Sequence, residues 1–274
     1  MTQPLLRFVH LSDTHINPDV DYIKDYANYT PMTGAMALID AVNALPFTPD
    51  FILHTGDVAY DPYPEVYDVI QDVLSKFNIP VYVLAGNHDD ARALQHLVMG
   101  RDDDAVKDYL YYEFEQNGVQ IVCLDSNGPA EIPQGNIPDE QLAWLDTLVS
   151  VDDDRPLVVA THHNVLPMNV PWLDGFMRTT NGEALHTILC KAQSRLRVVL
   201  HGHIHQNIDH YVDGILYSSC ASSWCQFGAY PDPNNTEITQ NKSAPPGFSV
   251  VTVSANSTYI RRHTFTVDSQ ETPS

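Results

Sequence analysis

The chain has 274 residues, 43% of them hydrophobic and 18% charged, which fits a folded globular protein and excludes the low-hydropathy, charge-rich composition of disordered chains. Fourteen Lys and Arg stand against 35 Asp and Glu, a formal net charge of −21, and no basic run is long enough to track a phosphate backbone, so a nucleic-acid duplex is excluded as the expected partner. No apolar stretch is long enough to cross a bilayer, and the first residues run into a charged motif without the apolar segment of an export signal; the expectation is a soluble cytoplasmic protein with no membrane partner.

In chain order, residues 5–11 form an apolar run that reads as a buried strand and leads into Asp13-Thr14-His15. A helical pattern covers 33–45, and the next run, 51–53, leads into Gly56-Asp57. Residues 63–77 read as a helix with Pro64 at its second position, followed by a strand over 79–84 and the cluster Gly86-Asn87-His88-Asp89. Residues 111–114 and 119–124 flank Asn117-Gly118, a turn pair, and so predict a β-hairpin. A helix is expected over 138–149, with Pro138, Asp139 and Glu140 ahead of Leu142, Leu145 and Leu148. Strands over 157–160 and 198–200 lead into His162-His163 and Gly202-His203-Ile204-His205.

Beyond residue 198 the pattern is of strands alone, with hairpins at Asp213-Gly214 (208–212 and 214–218) and Ala255-Asn256 (248–253 and 259–266), so a second sheet is expected there. Residues 224–246, rich in Pro, Asn, Gly and Ser, read as a long loop or lid. The alternation of strand and helix points to a layered α/β protein, with one domain over 1–274 and cap or lid segments at 99–112 and 224–246. Cys123, Cys190, Cys220 and Cys225 lack CxxC spacing and read as buried free thiols, a Cys220–Cys225 bridge being the alternative.

Each of the five runs thus ends in residues able to bind a metal, and in open α/β sheets active sites lie beyond the carboxyl ends of the strands. Carboxylate, imidazole and amide oxygen together suit Zn, Mn or Fe, and no cysteine belongs to the set. The spacing of two in Asp13-Thr14-His15 and His203-Ile204-His205 predicts both side chains on one side of an extended segment. Gly56, Gly86 and Gly202 allow tight turns and close backbone approach after their strands.

The ordered series DxH, GD, GNHD, HH and GHxH resembles the calcineurin-like metallophosphoesterases from Phe8 to His205. Gly86-Asn87-His88-Asp89-Asp90, Leu124-Asp125-Ser126 and Pro245-Pro246-Gly247-Phe248 look like the class III cyclic-nucleotide phosphodiesterases and related glycerophosphodiesterases. The resemblance implies a four-layered αββα sandwich and two divalent or trivalent ions (Mn, Fe, Zn or Co). Asp13, His15 and His205 would hold one ion, Asn87, His162 and His203 the other, and Asp57 would bridge them. It also implies a metal-held hydroxide attacking a small phosphodiester, with Asp57, Asn87 and His88 as catalytic residues and Asn87 and His88 as substrate contacts. His88 would stabilise phosphoryl charge or protonate the leaving alkoxide, and Asp89 would orient it or a neighbouring ligand.

His163 falls to a hydrogen bond behind the ligands, and Asn164-Val165-Leu166-Pro167 departs from the family's HHPP. Tyr60 matches the GDxxY of purple acid phosphatases, where the tyrosine binds iron, but His15 fills that position here and leaves Tyr60 near the site, unligated. His54 and His201 are candidates to support the ligands, whereas His10, His96, His186, His210 and His263 read as ordinary core or surface residues. Tyr22, Tyr26, Tyr29, Trp224 and Phe227 are either a cap or packing. The rival functions are a phosphomonoesterase or protein phosphatase, for which only Arg92 is a candidate cation, and a metal-free scaffold on the same fold. A homo-oligomer is compatible with all of these.

Overall fold

The computed structural model describes residues 3–268. β1 (Leu6–Leu11) is followed by α1 (Pro31–Asn43), β2 (Ile52–His54), α2 (Pro64–Leu74) and β3 (Val81–Val83). Thr30 caps α1, its side chain accepting from the Thr33 amide, and both helices open on a proline whose fixed φ and missing N–H suit a first turn. After β3 comes α3 (Ala91–Ala93), one turn capped by Asp90, and then a π-helical turn over Leu94–Val98.

The next segment contains a 3₁₀ turn (Asp103–Ala105), the hairpin β4 (Tyr112–Gln116) and β5 (Val119–Cys123), α4 (Asp139–Ser150) and β6 (Leu157–Ala160). It continues through α5 (Pro171–Phe176), α6 (Gly182–Lys191) and β7 (Leu196–His201). Two hairpins complete the described chain, β8 (Asp209–Val212) with β9 (Ile215–Ser219), and β10 (Gly247–Val253) with β11 (Thr258–Thr264). No helix among the described residues is long and apolar enough to cross a membrane.

The strands form a five-stranded sheet, β11-β10-β1-β2-β3, and a six-stranded sheet, β4-β5-β6-β7-β9-β8. Alternate residues of each central strand serve opposite layers, which is why these strands read as unbroken apolar runs. In β1, Leu6 and Phe8 face the other sheet while Val9 and Leu11 face the helices; in β6, Val158 and Ala160 face inward while Leu157 and Val159 meet α4 and α6. Three buried clusters result: α1 and α2 on the first sheet, sheet on sheet, and α4 and α6 on the second. This is the four-layered αββα sandwich that the motifs implied.

The structure corrects several local expectations. The second sheet does not consist of the late strands: β8 and β9 extend the sheet begun by β4 to β7, whereas β10 pairs with β1 and takes β11 into the first sheet. The sequence reading assigns no helix between 160 and 198, where α5 and α6 form; α6 buries only Leu185 and Leu189 from its apolar side, a weak periodic signal. All four cysteines are free thiols, but Cys190 is half-buried.

Candidate metal centre

β1, β2 and β3 run parallel, as do β6 and β7, so their carboxyl ends bring all five motifs to one edge of the sandwich. Asp13, His15, Asp57 and His205 each offer a ligand atom within 4.8 Å of the others. His162, His163 and His203 form a second such group. Asp57 stands between them: its Oδ2 is 3.7 Å from His15 Nε2 and 3.4 Å from His162 Nε2. Asn87 joins the second group through its Oδ1, 3.2 Å from the same His162 Nε2.

The local backbone differs from the extended segments expected at DxH and GHxH. Asp13, His15, Asp57, His203 and His205 all have positive φ, between 47° and 69°. The side chains do converge, but through left-handed kinks beyond the strand ends. Such conformations carry strain in non-glycine residues and concentrate at functional sites. The kinks are held by the Asp13, His15 and Ile16 amides donating to the carbonyls of Gly56, Asp57 and Val58. Gly56 (φ +98°) and Gly86 permit this crowding: a Cβ on Gly86 would lie 2.2 Å from Asp57 Oδ1.

Hydrogen bonds orient the imidazoles. Carbonyl oxygens only accept, so His162 Nδ1 donates to Thr55 (2.8 Å), His205 Nδ1 to Cys225 (2.8 Å) and His203 Nε2 to Met177 (3.1 Å). In each neutral ring the other nitrogen then carries its lone pair. For His205 and His162 that nitrogen faces Asp13 Oδ1 at 3.4 Å and Asp57 Oδ2 at 3.4 Å, acceptor against acceptor. His15 and His205 meet Nε2 to Nε2 at 3.0 Å.

Such an arrangement calls for positive charge at its centre. Burial lowers the basicity of His162, but Asp57 and then Asp13 outweigh it and lift its pKa to about 9; His205 is raised likewise by Asp13 against its burial. Asp57 is buried yet drawn well below the carboxylate range by His162 and His88, while burial drives His15 down to about 3. Metal ions would supply that charge, so the donor set fits the two-ion expectation.

His88 presents its amide to Asp57 Oδ1 (2.9 Å) and its Nδ1–H to the Tyr60 carbonyl (2.5 Å), and its ring lies 4.9 Å from that of His15. Asp89 accepts from the amides of Val58, Ala59 and Gly86, tying the β2 loop to the β3 loop; burial and then Asp57 push its carboxyl up to about 7 against those three donors. His54 bonds Thr14 (2.9 Å) and His201 the carbonyl of Gly202 (3.2 Å), so both support ligand segments.

A cavity of about 240 Å³ opens on the clusters, with Asn87, His88 and His203 in its wall. Tyr26, Tyr60, Trp224 and Phe227 line it, and Tyr22 and Tyr29 pack behind them. Of the aromatic residues left open by the sequence, Tyr26, Trp224 and Phe227 therefore line the cavity, whereas Tyr22 and Tyr29 only pack behind it. The loop 224–246 also supplies Ile238 and Gln240, whereas no residue of 99–112 reaches the cavity. Arg92 bonds Asp108 on the surface and is not in the wall. Sequence reasoning missed Pro133, Phe176 and Met177, which no motif marks, and the backbone carbonyls that orient the ligands, which carry no residue signature.

A probable cyclic nucleotide phosphodiesterase of Psychrobacter sp. (strain PRwf-1) is 28% identical over 216 residues, covering 76% of this chain and 61% of the relative. The 3',5'-cyclic adenosine monophosphate phosphodiesterase CpdA of Pseudomonas aeruginosa is 28% identical over 247 residues, covering 89% and 84%. The crystal structure of a dimetal phosphatase from Danio rerio superposes with a TM-score of 0.62 at 16% identity, over 96% of this chain and all of that one, which speaks for the fold alone. The family model for calcineurin-like phosphoesterases matches residues 6–207, a span that takes in all the clustered side chains, and the chain belongs to that family of metal-dependent phosphoric ester hydrolases.

Proposed function

We propose that the protein is a two-metal phosphodiesterase of small molecules, with cyclic nucleotides as the leading substrates and glycerophosphodiesters next. The observation that carries this reading is the cavity wall. Beside the clusters it is aromatic and apolar and contains neither Lys nor Arg. A phosphomonoester dianion is usually gripped by added cations, whereas a monoanionic diester with a planar substituent needs only the ions and a stacking surface. The cyclic nucleotide phosphodiesterase names of two relatives at 28% identity support the same choice.

In this reading Asp13, His15 and His205 would hold one ion, Asn87, His162 and His203 the other, and Asp57 would serve both. The ions, when bound, acidify water to supply the nucleophile and offset charge on the phosphoryl oxygens. Asp57 Oδ1, by accepting the His88 amide, ties the loop between β3 and α3 to the site. His88 donates Nδ1–H to Tyr60, so only the doubly protonated ring would carry a second proton, on Nε2, to pass to the departing alkoxide as general acid. Asn87, with Oδ1 beside His162 and its side chain in the cavity wall, would hold the second ion and border the substrate. The four unpaired thiols support a reducing, cytoplasmic compartment.

The test is hydrolysis of cyclic AMP and of glycerophosphocholine by Mn-loaded protein, followed by product analysis. Turnover of cyclic AMP that is lost in Asn87→Ala, with a higher KM in Trp224→Ala, is expected. Turnover of glycerophosphocholine alone would move the substrate to the second class, and turnover of neither would contradict the reading.

A further inference from the structure

The second cluster contains an imidazole that the family motif leaves outside the ligand set. His163 is fully buried, and one of its ring nitrogens lies within 4.8 Å of ligand atoms of both His162 and His203. Its ring centroid is 4.9 Å from that of His162 and 4.4 Å from that of His203. Nδ1 is 2.7 Å from Ser126 Oγ and Nε2 has no hydrogen bond of regular geometry, although the Pro133 backbone also acts on the ring. We propose that His163 is a third imidazole ligand of the ion held by Asn87, His162 and His203, presented through Nε2 and oriented by Ser126. The inference rests on the two-metal reading given above.

Three features carry it. First, His163 repeats the pattern of its neighbours, in which one ring nitrogen is tied to an oxygen (Thr55 for His162, Met177 for His203) and the other remains for the cluster. Ser126 Oγ also accepts the His163 amide (3.2 Å), so one hydroxyl holds both the backbone and the ring. Second, the ring has no room to withdraw: a Cβ on Gly135 would lie 2.5 Å from His163 Cγ and 2.6 Å from its Cβ, so the chain at 135 is pressed against the imidazole. Third, an orphan nitrogen alone is not distinctive here. His10, His54 and His201 also leave one ring nitrogen unpartnered, but none of them joins either cluster of ligand atoms found among the described residues.

The consequence is an asymmetric centre. Three imidazoles at the second position favour Zn or Fe over Mn, whereas the first position, with Asp13 and Asp57, is richer in carboxylate. Ser126 acquires a role as well: where its hydroxyl accepts from Nδ1–H, Nε2 keeps the lone pair that an ion would take.

The test is magnetic resonance of protein labelled with ¹⁵N in its histidines and loaded with ¹¹³Cd as a stand-in for Zn. One-bond ¹¹³Cd–¹⁵N coupling is expected at His163 Nε2 beside those of His162 and His203, assigned by its disappearance in His163→Gln. Ser126→Ala keeps the imidazole and serves if the glutamine variant does not fold; it should retain the coupling while weakening the second ion by about 10-fold or more. Coupling at His162 and His203 with none at His163 would overturn the proposal and leave the two-metal reading standing. No coupling at any histidine would overturn both.

Discussion

At Gly86 a single added methyl decides whether the two clusters share a carboxylate. Its Cβ would fall 2.2 Å from Asp57 Oδ1 and 2.3 Å from the Asp57 amide, so Gly86→Ala must displace the Asp57 carboxylate. Elemental analysis of that variant should find fewer than two ions per chain. Gly100→Ala is the contrast: nothing lies within 4 Å of the new methyl, so only the strain of its positive φ (+66°) remains, about 1–2 kcal/mol, with metal content unchanged. Asp89→Asn sets an amide group against three backbone donors and should weaken metal binding by about 10–100-fold in a calorimetric titration. The side chains that the fold brings together were legible because residue type, order and position after an apolar run all agree. Their left-handed backbones were not, since nothing in Asp13-Thr14-His15 states a φ; cross-strand hydrogen bonds impose it.

Among the elements, Asp125 joins pieces distant in the chain. Placed after β5, it accepts from the amide of Leu110 ahead of β4 (2.7 Å) and from Asn127, while Gln141 of α4 bonds both its amide and its carbonyl. Burial lifts its carboxyl to about 6 from an ordinary 3.8, against the pull of those donors. A raised carboxyl pKa means the folded chain holds this proton more tightly than the unfolded chain. Its stabilising contribution is thus complete below 3.8 and is lost as pH rises through about 6. Urea melts of metal-free protein should therefore show wild type losing stability relative to Asp125→Asn between pH 4 and 6.5; a constant difference would contradict this. The hairpins were readable because turn pairs and alternation are local. Which sheet each hairpin joins was not, because a local pattern does not specify the edge that receives it, and so β10 and β11 were expected apart from β1.

For the whole molecule, the inter-sheet core carries the geometry that aligns the five strand ends. Phe51 lies fully buried within it, stacked on Phe8 at 4.8 Å with Tyr82 and Phe114 edge-on at 5.4 Å. Phe51→Ala should lower unfolding free energy by about 3–5 kcal/mol in denaturant titration. Metal removal should act on the entire fold as well, since ions that bind only the folded chain add about 2.7 kcal/mol when free metal exceeds Kd 100-fold. The αββα architecture was legible through its motifs more than through its elements: α5 and α6 went unread, yet the runs buried on both faces announced strands enclosed by other layers. The most direct measurement of the central claim compares kcat/KM for bis(p-nitrophenyl) phosphate and p-nitrophenyl phosphate on Mn-loaded protein, with Asn87→Ala beside it. Preference for the diester, abolished in the variant, is expected. Preference for the monoester, or activity that survives chelation, would contradict it.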